Sequence, residues 1–180
     1  MTLETSSTFT LRLAQADEAP MLSALMTETF LAAYGHVAPA DSLERHIARS
    51  YAAPMIGERI AAAEIEVYVL ETDDGRDAGY VQLGLQVPAP EPLAGRRTLE
   101  VQRCYMRPEH IGAGGSGQLI AQAQRRATEL DRDAVHLSVY QLAPRAVRFY
   151  EKHGFRPAAA IKYYIDHVEF DDWLMVWQRP

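Results

Sequence analysis

The residues whose types and spacing point most clearly to chemistry run from Met106 to Leu119: Met106-Arg107-Pro108-Glu109-His110-Ile111-Gly112-Ala113-Gly114-Gly115-Ser116-Gly117-Gln118-Leu119. Glycines at 112, 114, 115 and 117 let a backbone approach a ligand closely. Where such a turn opens a helix, several N–H groups point the same way and the helix dipole favours negative charge. That combination binds phosphate, so a pyrophosphate-bearing ligand is expected. A Walker A loop would need Gly-Lys-Ser/Thr, whereas Gly117 is followed by Gln118. The dinucleotide pattern G-x-G-x-x-G can be laid on Gly112, Gly114 and Gly117, but it belongs early in a βαβ unit, with an acidic residue about 20 positions on. Asp131 and Asp133 lie near that distance, yet they precede the following strand instead of ending it. A glycine-rich surface turn with no ligand is the plain alternative, and four glycines in six residues would serve packing poorly.

Other reactive side chains are sparse. Cys104 is the single cysteine, which excludes an intrachain disulfide and a cysteine-based zinc site. Asp166, His167, Glu169, Asp171 and Asp172 lack a spaced set of partners and read as a hairpin turn, so no metal is expected. His36 falls in a loop, Tyr34 to Pro39, where a histidine is usually solvated.

These residues must be positioned by a mixed sheet. Phe9 to Leu13 alternates like a short strand. Asp17 is placed to cap a helix carrying Leu22, Leu25, Met26, Phe30 and Ala33 at helical spacing. Asp41 with Glu44 resembles a capping box for a helix bearing Leu43, Ile47 and Tyr51. Strands over Glu66 to Thr72 and Ala78 to Val87 flank an Asp74-Gly75 hairpin turn. A loop with Pro88, Pro90 and Pro92 precedes a strand from Thr98 to Met106. A helix from the glycine turn to about Leu130 is followed by a strand with Val135, Leu137 and Val139. Pro144 opens a helix and Gly154 closes it. Ala158 to Ile165 and Trp173 to Gln178 form a final antiparallel pair. The order β-α-α-β-β-β-α-β-α-β-β predicts one α/β (α+β) domain over residues 1–180.

With 180 residues, 48% of them apolar, the chain can bury a proper core. A net charge of −6 argues against non-specific binding to nucleic acid or to an anionic membrane. Met1 to Thr10 lacks the apolar stretch of a signal peptide and no run approaches a membrane span, so a cytoplasmic location is expected.

A second segment narrows the ligand. Ala143-x-x-Ala146-x-x-Phe149-Tyr150-Glu151-Lys152-x-Gly154-Phe155 follows Met106-x-Pro108 and Ile111-x-x-Gly114-x-Ser116 at about thirty residues' distance. Together these resemble the GNAT acetyltransferase superfamily, whose members carry Q/R-x-x-G-x-G/A and then N-x-x-A-x-x-(F/L)-Y-E-K-x-G-F. The element order extends the resemblance over nearly the whole chain. Two positions depart from the pattern. Ile111 replaces Gln or Arg, and Ala143, directly before Pro144, replaces the usual Asn and its N-cap.

The resemblance implies a six- to seven-stranded, mostly antiparallel sheet flanked by helices on both faces, with two strands splayed at the cofactor site. It implies acetyl-CoA as cosubstrate and direct attack by a primary amine through a tetrahedral intermediate. Backbone groups of Cys104, Tyr105 and Met106 would pair with the pantetheine arm. The amides of Ile111, Gly112, Ala113, Gly114, Gly115, Ser116 and Gly117 would hold the pyrophosphate, with Ala143 and Ala146 along the cofactor. Tyr150 would protonate the departing thiolate and Glu100 would deprotonate the amine, directly or through water. A backbone N–H at the splay would form the oxyanion hole.

The acceptor is expected between the first two helices and the last strand pair, at Phe30, Tyr34, His36 and Tyr163. An aromatic pocket in an acidic protein suits a small primary amine or a polyamine. The C-terminal segment and the two-helix pattern also resemble the bacterial branch that includes polyamine acetyltransferases. An acyl-CoA-binding module without catalysis, and an acetyltransferase of protein N-termini or lysines, stay open as alternatives. Trp173 and Trp177 alternate with Met175 and are candidates for a homodimer face.

Overall fold

The computed structural model describes residues 9–180. The expectation that no signal peptide is present rests largely on residues 1–8, which lie outside the described part. The chain begins with β1 (Phe9–Leu13), and then three helices, α1 (Ala19–Tyr34), α2 (Ala40–Ser50) and α3 (Ala53–Ala61), precede a meander of β2 (Ile65–Thr72), β3 (Asp77–Gly84) and β4 (Thr98–Met106). α4 (Gly115–Glu129), β5 (Ala134–Tyr140), α5 (Pro144–Lys152), β6 (Arg156–Ile165) and β7 (Val168–Gln178) complete it.

All seven strands form one sheet in the order β1-β2-β3-β4-β5-β7-β6. Every neighbouring pair is antiparallel except β4 with β5. Helices cover both faces, as expected. α4 buries Leu119, Ile120, Ala123 and Ala127 against Val81, Leu99, Val101, Val135 and Leu137 on one face. α1 buries Leu22, Leu25, Met26 and Phe30 with Val67, Val69, Tyr80 and Ile165 on the other. The proline-rich loop is an integral part of the domain, since Leu93 packs with Ala134, Leu174 and Val176.

Several local expectations are corrected. α3 is an additional helix, with Pro54 in its first turn, where a missing N–H costs nothing. Asp17 does not cap α1. It lies in a short 3-10 turn, Ala16–Glu18, entered through a reciprocal box between Gln15 and Glu18. The Asp41 and Glu44 pair does not cap α2, whose N-cap is Pro39. β3 ends at Gly84 and β7 begins at Val168, because the final hairpin is tight and pairs Ile165 with Val168. Trp173 and Trp177 are half-buried and pack on the chain's own core, with Trp177 Cδ1 3.2 Å from where a Cβ on Gly154 would sit.

Candidate active site

Two irregularities in β4 create the site. The first is an extra residue. Gln82 pairs with Arg103 but Leu83 pairs with Val101, so Gln102 is bulged out of the ladder. Leu99 and Val101 therefore face α4, whereas Arg103 and Tyr105 face α1 and α2, and Cys104 and Met106 return to the α4 side. The second is a parting of strands. β4 and β5 pair only through Thr98–Ala134, Leu99–Val135 and Glu100–His136. Beyond Glu100 the two strands diverge, and their facing peptide groups lose each other as hydrogen-bond partners.

A cavity of about 750 Å³ fills this gap. Val101 to Met106 form one wall, Leu137 to Tyr140 the other, and Ala143, Ala146 and Tyr150 of α5 close one end. The end of α1 and the loop after it contribute Tyr34, His36 and Val37, while Ile111 and Ser116 mark the side of the glycine turn.

The turn's glycines have separate tasks. Gly112 (φ 91°) and Gly114 (φ 90°) hold left-handed backbone that other residues resist. Gly115 instead lets α4 sit on the sheet, because a Cβ there would lie 2.8 Å from Met106 Cε and 3.0 Å from Leu70 Cδ1. Two of the expected phosphate donors are already used within the turn: Ile111 N–H donates to Pro108 O and Ala113 N–H to His110 O. The N–H groups of Gly115, Ser116 and Gly117 belong to the first helical turn and have no partner within the helix. Arg145 Nη2 stands 3.7 Å from the Cβ position of Gly112, a cation over the turn that the sequence pattern did not indicate.

Tyr150 is half-buried and lines the cavity with Cys104 and Tyr34, and desolvation raises the phenol well above its ordinary range, so it keeps its proton. Burial likewise pushes the Cys104 thiol up to about 12, leaving it un-ionised and poorly nucleophilic. Glu100 does not line the cavity. Its carboxylate accepts a bond from Gln102 Nε2 (2.9 Å), and Gln102 does line it. Gln102 Oε1 in turn accepts from Gln82 Nε2 at 2.6 Å, and Gln82 Oε1 from Arg103 Nη1 at 2.9 Å.

On the expected acceptor side, Tyr34 and His36 reach the cavity, and burial moves the Tyr34 phenol up to about 12. Phe30 does not reach it. It is fully buried among Tyr34, His46 and Tyr51, with ring centroids 5.0, 4.9 and 5.3 Å away. Tyr163 does not line it either; it is half-buried and packs on the core beneath α1. Sequence reasoning passed over Arg103, Ser138 and Tyr140, and set Asp172 aside as part of a hairpin turn. Asp172 is buried on β7, opposite Tyr140, with its Oδ1 unpartnered and its carboxyl pushed up to about 6 by burial. Neither Arg103 nor Asp172 sits in a motif, and only the folded sheet brings them near the cavity.

The model for the acetyltransferase (GNAT) domain matches residues 63–157, more than half of the chain. The chain belongs to the GNAT acetyltransferase family. An N-acetyltransferase from Lactobacillus delbrueckii subsp. lactis, encoded in the pepI 3′ region and without an assigned substrate, is 25% identical over 135 residues, covering 75% of this chain and 77% of its own. The fold of this GNAT protein resembles that of the PaiA N-acetyltransferase from Thermoplasma acidophilum in complex with coenzyme A, with a TM-score of 0.73 at 16% identity over 95% of this chain and 99% of that one. Spermidine N-acetyltransferase from Vibrio cholerae, in complex with CoA and spermine, gives a TM-score of 0.67 at 22% identity over 95% of both chains. Among the described residues of this GNAT domain, no three His, Cys, Asp or Glu side chains group as a metal site, and no helix is long and apolar enough to cross a membrane.

Proposed function

We propose that this GNAT N-acetyltransferase transfers the acetyl group of acetyl-CoA to a small-molecule primary amine, with residues 1–180 acting as one domain. The reading is carried by one juxtaposition: a helix-opening turn with uncommitted N–H groups lies beside a cavity where two sheet strands part.

Acetyl-CoA supplies an activated acyl group when bound. The N–H groups of Gly115, Ser116 and Gly117, aided by Arg145, hold the pyrophosphate. Peptide groups of Cys104, Tyr105 and Met106, unpaired toward β5, hold the pantetheine arm, with Ala143 and Ala146 alongside. A freed N–H on the splayed edge donates to the developing oxyanion. Tyr150, protonated and next to Cys104, gives its proton to the departing thiolate. Cys104 stays a neutral thiol, which favours direct attack by the amine. Glu100 acts on the amine at second hand, through Gln102 and water.

The dimensions of the cavity support a small acceptor, since the end of α1 and the loop after it, carrying Tyr34, His36 and Val37, border its acceptor end. Polyamines, the class favoured by the sequence reading, belong in the substrate panel, as do amines of other charge. The test is CoA release from acetyl-CoA across that panel, with acetyl-CoA affinity measured in parallel. Turnover of a small amine supports the reading. Tight acetyl-CoA binding with no amine consumed would replace it with a binding module or a protein acceptor.

A further inference from the structure

Arg103 is the least compensated charge on the acceptor face. Its guanidinium carbon lies 4.5 Å from the Tyr51 ring centroid and its Nη1 donates to Gln82 Oε1 at 2.9 Å. The Tyr51 hydroxyl, Tyr80, Tyr163 and the neutral His46 are its other polar neighbours, and no carboxylate among the described residues pairs with it. Arg45 and Arg59, arginines of the helices on the same face, are each paired with an acid. A guanidinium has five N–H donors, and withdrawing it from water without a counter-ion is costly. Arg103 also lines the cavity, so its remaining donors have one place to find a partner.

An acid lies behind the opposite wall. Asp172 is 98% buried, with its Oδ1 unpartnered, and belongs to the strand paired with Ser138 and Tyr140. Tyr163 packs on the same face of the sheet. A cation on β4 thus lines the parted strands, while the nearest buried acid stands one strand behind the cavity wall, leaving the guanidinium to be met by an anion on the bound molecule.

We propose that the acceptor is an amine bearing an oxyanion, such as an amino acid, and that Arg103 grips that anionic group while the amine faces the strand gap. The inference rests on the acetyltransferase reading only for what happens to the amine. The cofactor's own phosphates do not satisfy Arg103, because the glycine turn lies at the start of α4, on the other face of the sheet. A polyamine would bring a second positive charge toward an uncompensated guanidinium. A carboxylate, phosphonate or sulfonate would instead form a charge-assisted, two-pronged bond.

Matched probes test this on the protein loaded with CoA. Calorimetric titration would compare leucine with leucinamide, aminomethylphosphonate with methylamine, and taurine with ethylamine, with spermidine as a polycation. The expected result is that at least one oxyanion-bearing amine binds roughly 10- to 100-fold more tightly than its uncharged partner. Arg103→Met should abolish that preference and leave CoA affinity unchanged, while Arg103→Lys should retain part of it. The best of the three pairs identifies the oxyanion. Equal binding of every matched pair, or tighter binding of spermidine, would overturn the proposal without requiring any variant to fold. Turnover is scored separately: tight binding of the anionic amine with no CoA released keeps the Arg103 site and removes the acetyl-transfer reading.

Discussion

Glu100 and His136 are paired across the last rung of the β4–β5 ladder, at the point where the strands begin to part. His136 is buried with its Nε2 unpartnered, and burial lowers its pKa against the opposing pull of the Glu100 charge. The sheet thus ends its parallel pairing on a carboxylate that is one side chain removed from the cavity, with Gln102 as the link. Glu100→Gln should lower kcat by roughly 10- to 100-fold, the low end for loss of a general base, and leave the KM for acetyl-CoA unchanged. Steady-state kinetics reads this directly. A wild-type rate would exclude Glu100 from proton transfer.

Tyr150→Phe removes the half-buried phenol beside Cys104 and little else. The expected loss is about 100-fold or more in kcat, with acetyl-CoA affinity within about twofold of wild type. CoA-release kinetics and calorimetry together measure both quantities. Cys104→Ala in the same assay should keep most of the rate, because a thiol held un-ionised is no nucleophile.

His46 sets a pH limit on stability. It is buried against Phe30, neither ring nitrogen has a partner, and burial lowers its pKa to about 4. The unfolded chain binds this proton near pH 6.5. The stability that depends on neutral His46 is therefore complete above about pH 6.5 and is lost as pH falls toward 4, on the order of 3 kcal/mol. His46→Phe should flatten the decline in melting temperature across that window. An unchanged slope would move the acid sensitivity elsewhere.

Gly115→Ala tests a glycine whose work is packing. The new methyl would press on Met106, Leu70 and Phe9, at 2.8, 3.0 and 3.2 Å. Overpacking of this kind costs about 1–3 kcal/mol, a drop of several degrees in melting temperature for a chain of this size. Because Met106 belongs to the cavity wall, acetyl-CoA affinity should weaken alongside.

The elements most legible in the sequence were those governed by periodicity or by glycine. The α1 stripe of Leu22, Leu25, Met26 and Phe30 shows in its spacing, as does the Asp74-Gly75 turn with Gly75 at φ 77°. The sequence does not say how deep a residue on that stripe will sit, and Phe30 went to the core while Tyr34, one turn later, reached the cavity. α3 was hidden because Pro54 reads as a break unless the helix is known to start beside it. The pole formed by Arg103 depends on Tyr51 beyond α2 and Gln82 on β3, so no local window contains it.

The extra residue at Gln102 puts the two halves of β4 out of phase. Upstream of it, alternate side chains serve the core under α4; downstream, the same alternation delivers Arg103 and Tyr105 to the opposite face, where both line the cavity. Since Gln82 and Leu83 are consecutive partners of Arg103 and Val101, the ladder would close regularly if Gln102 were removed. Such a shortened strand would keep Arg103 on its present face while cutting the link to Glu100. The two roles proposed for Arg103 and Glu100 would thus be separable by length alone, and retooling this cleft calls for adding or removing a residue as much as for exchanging one.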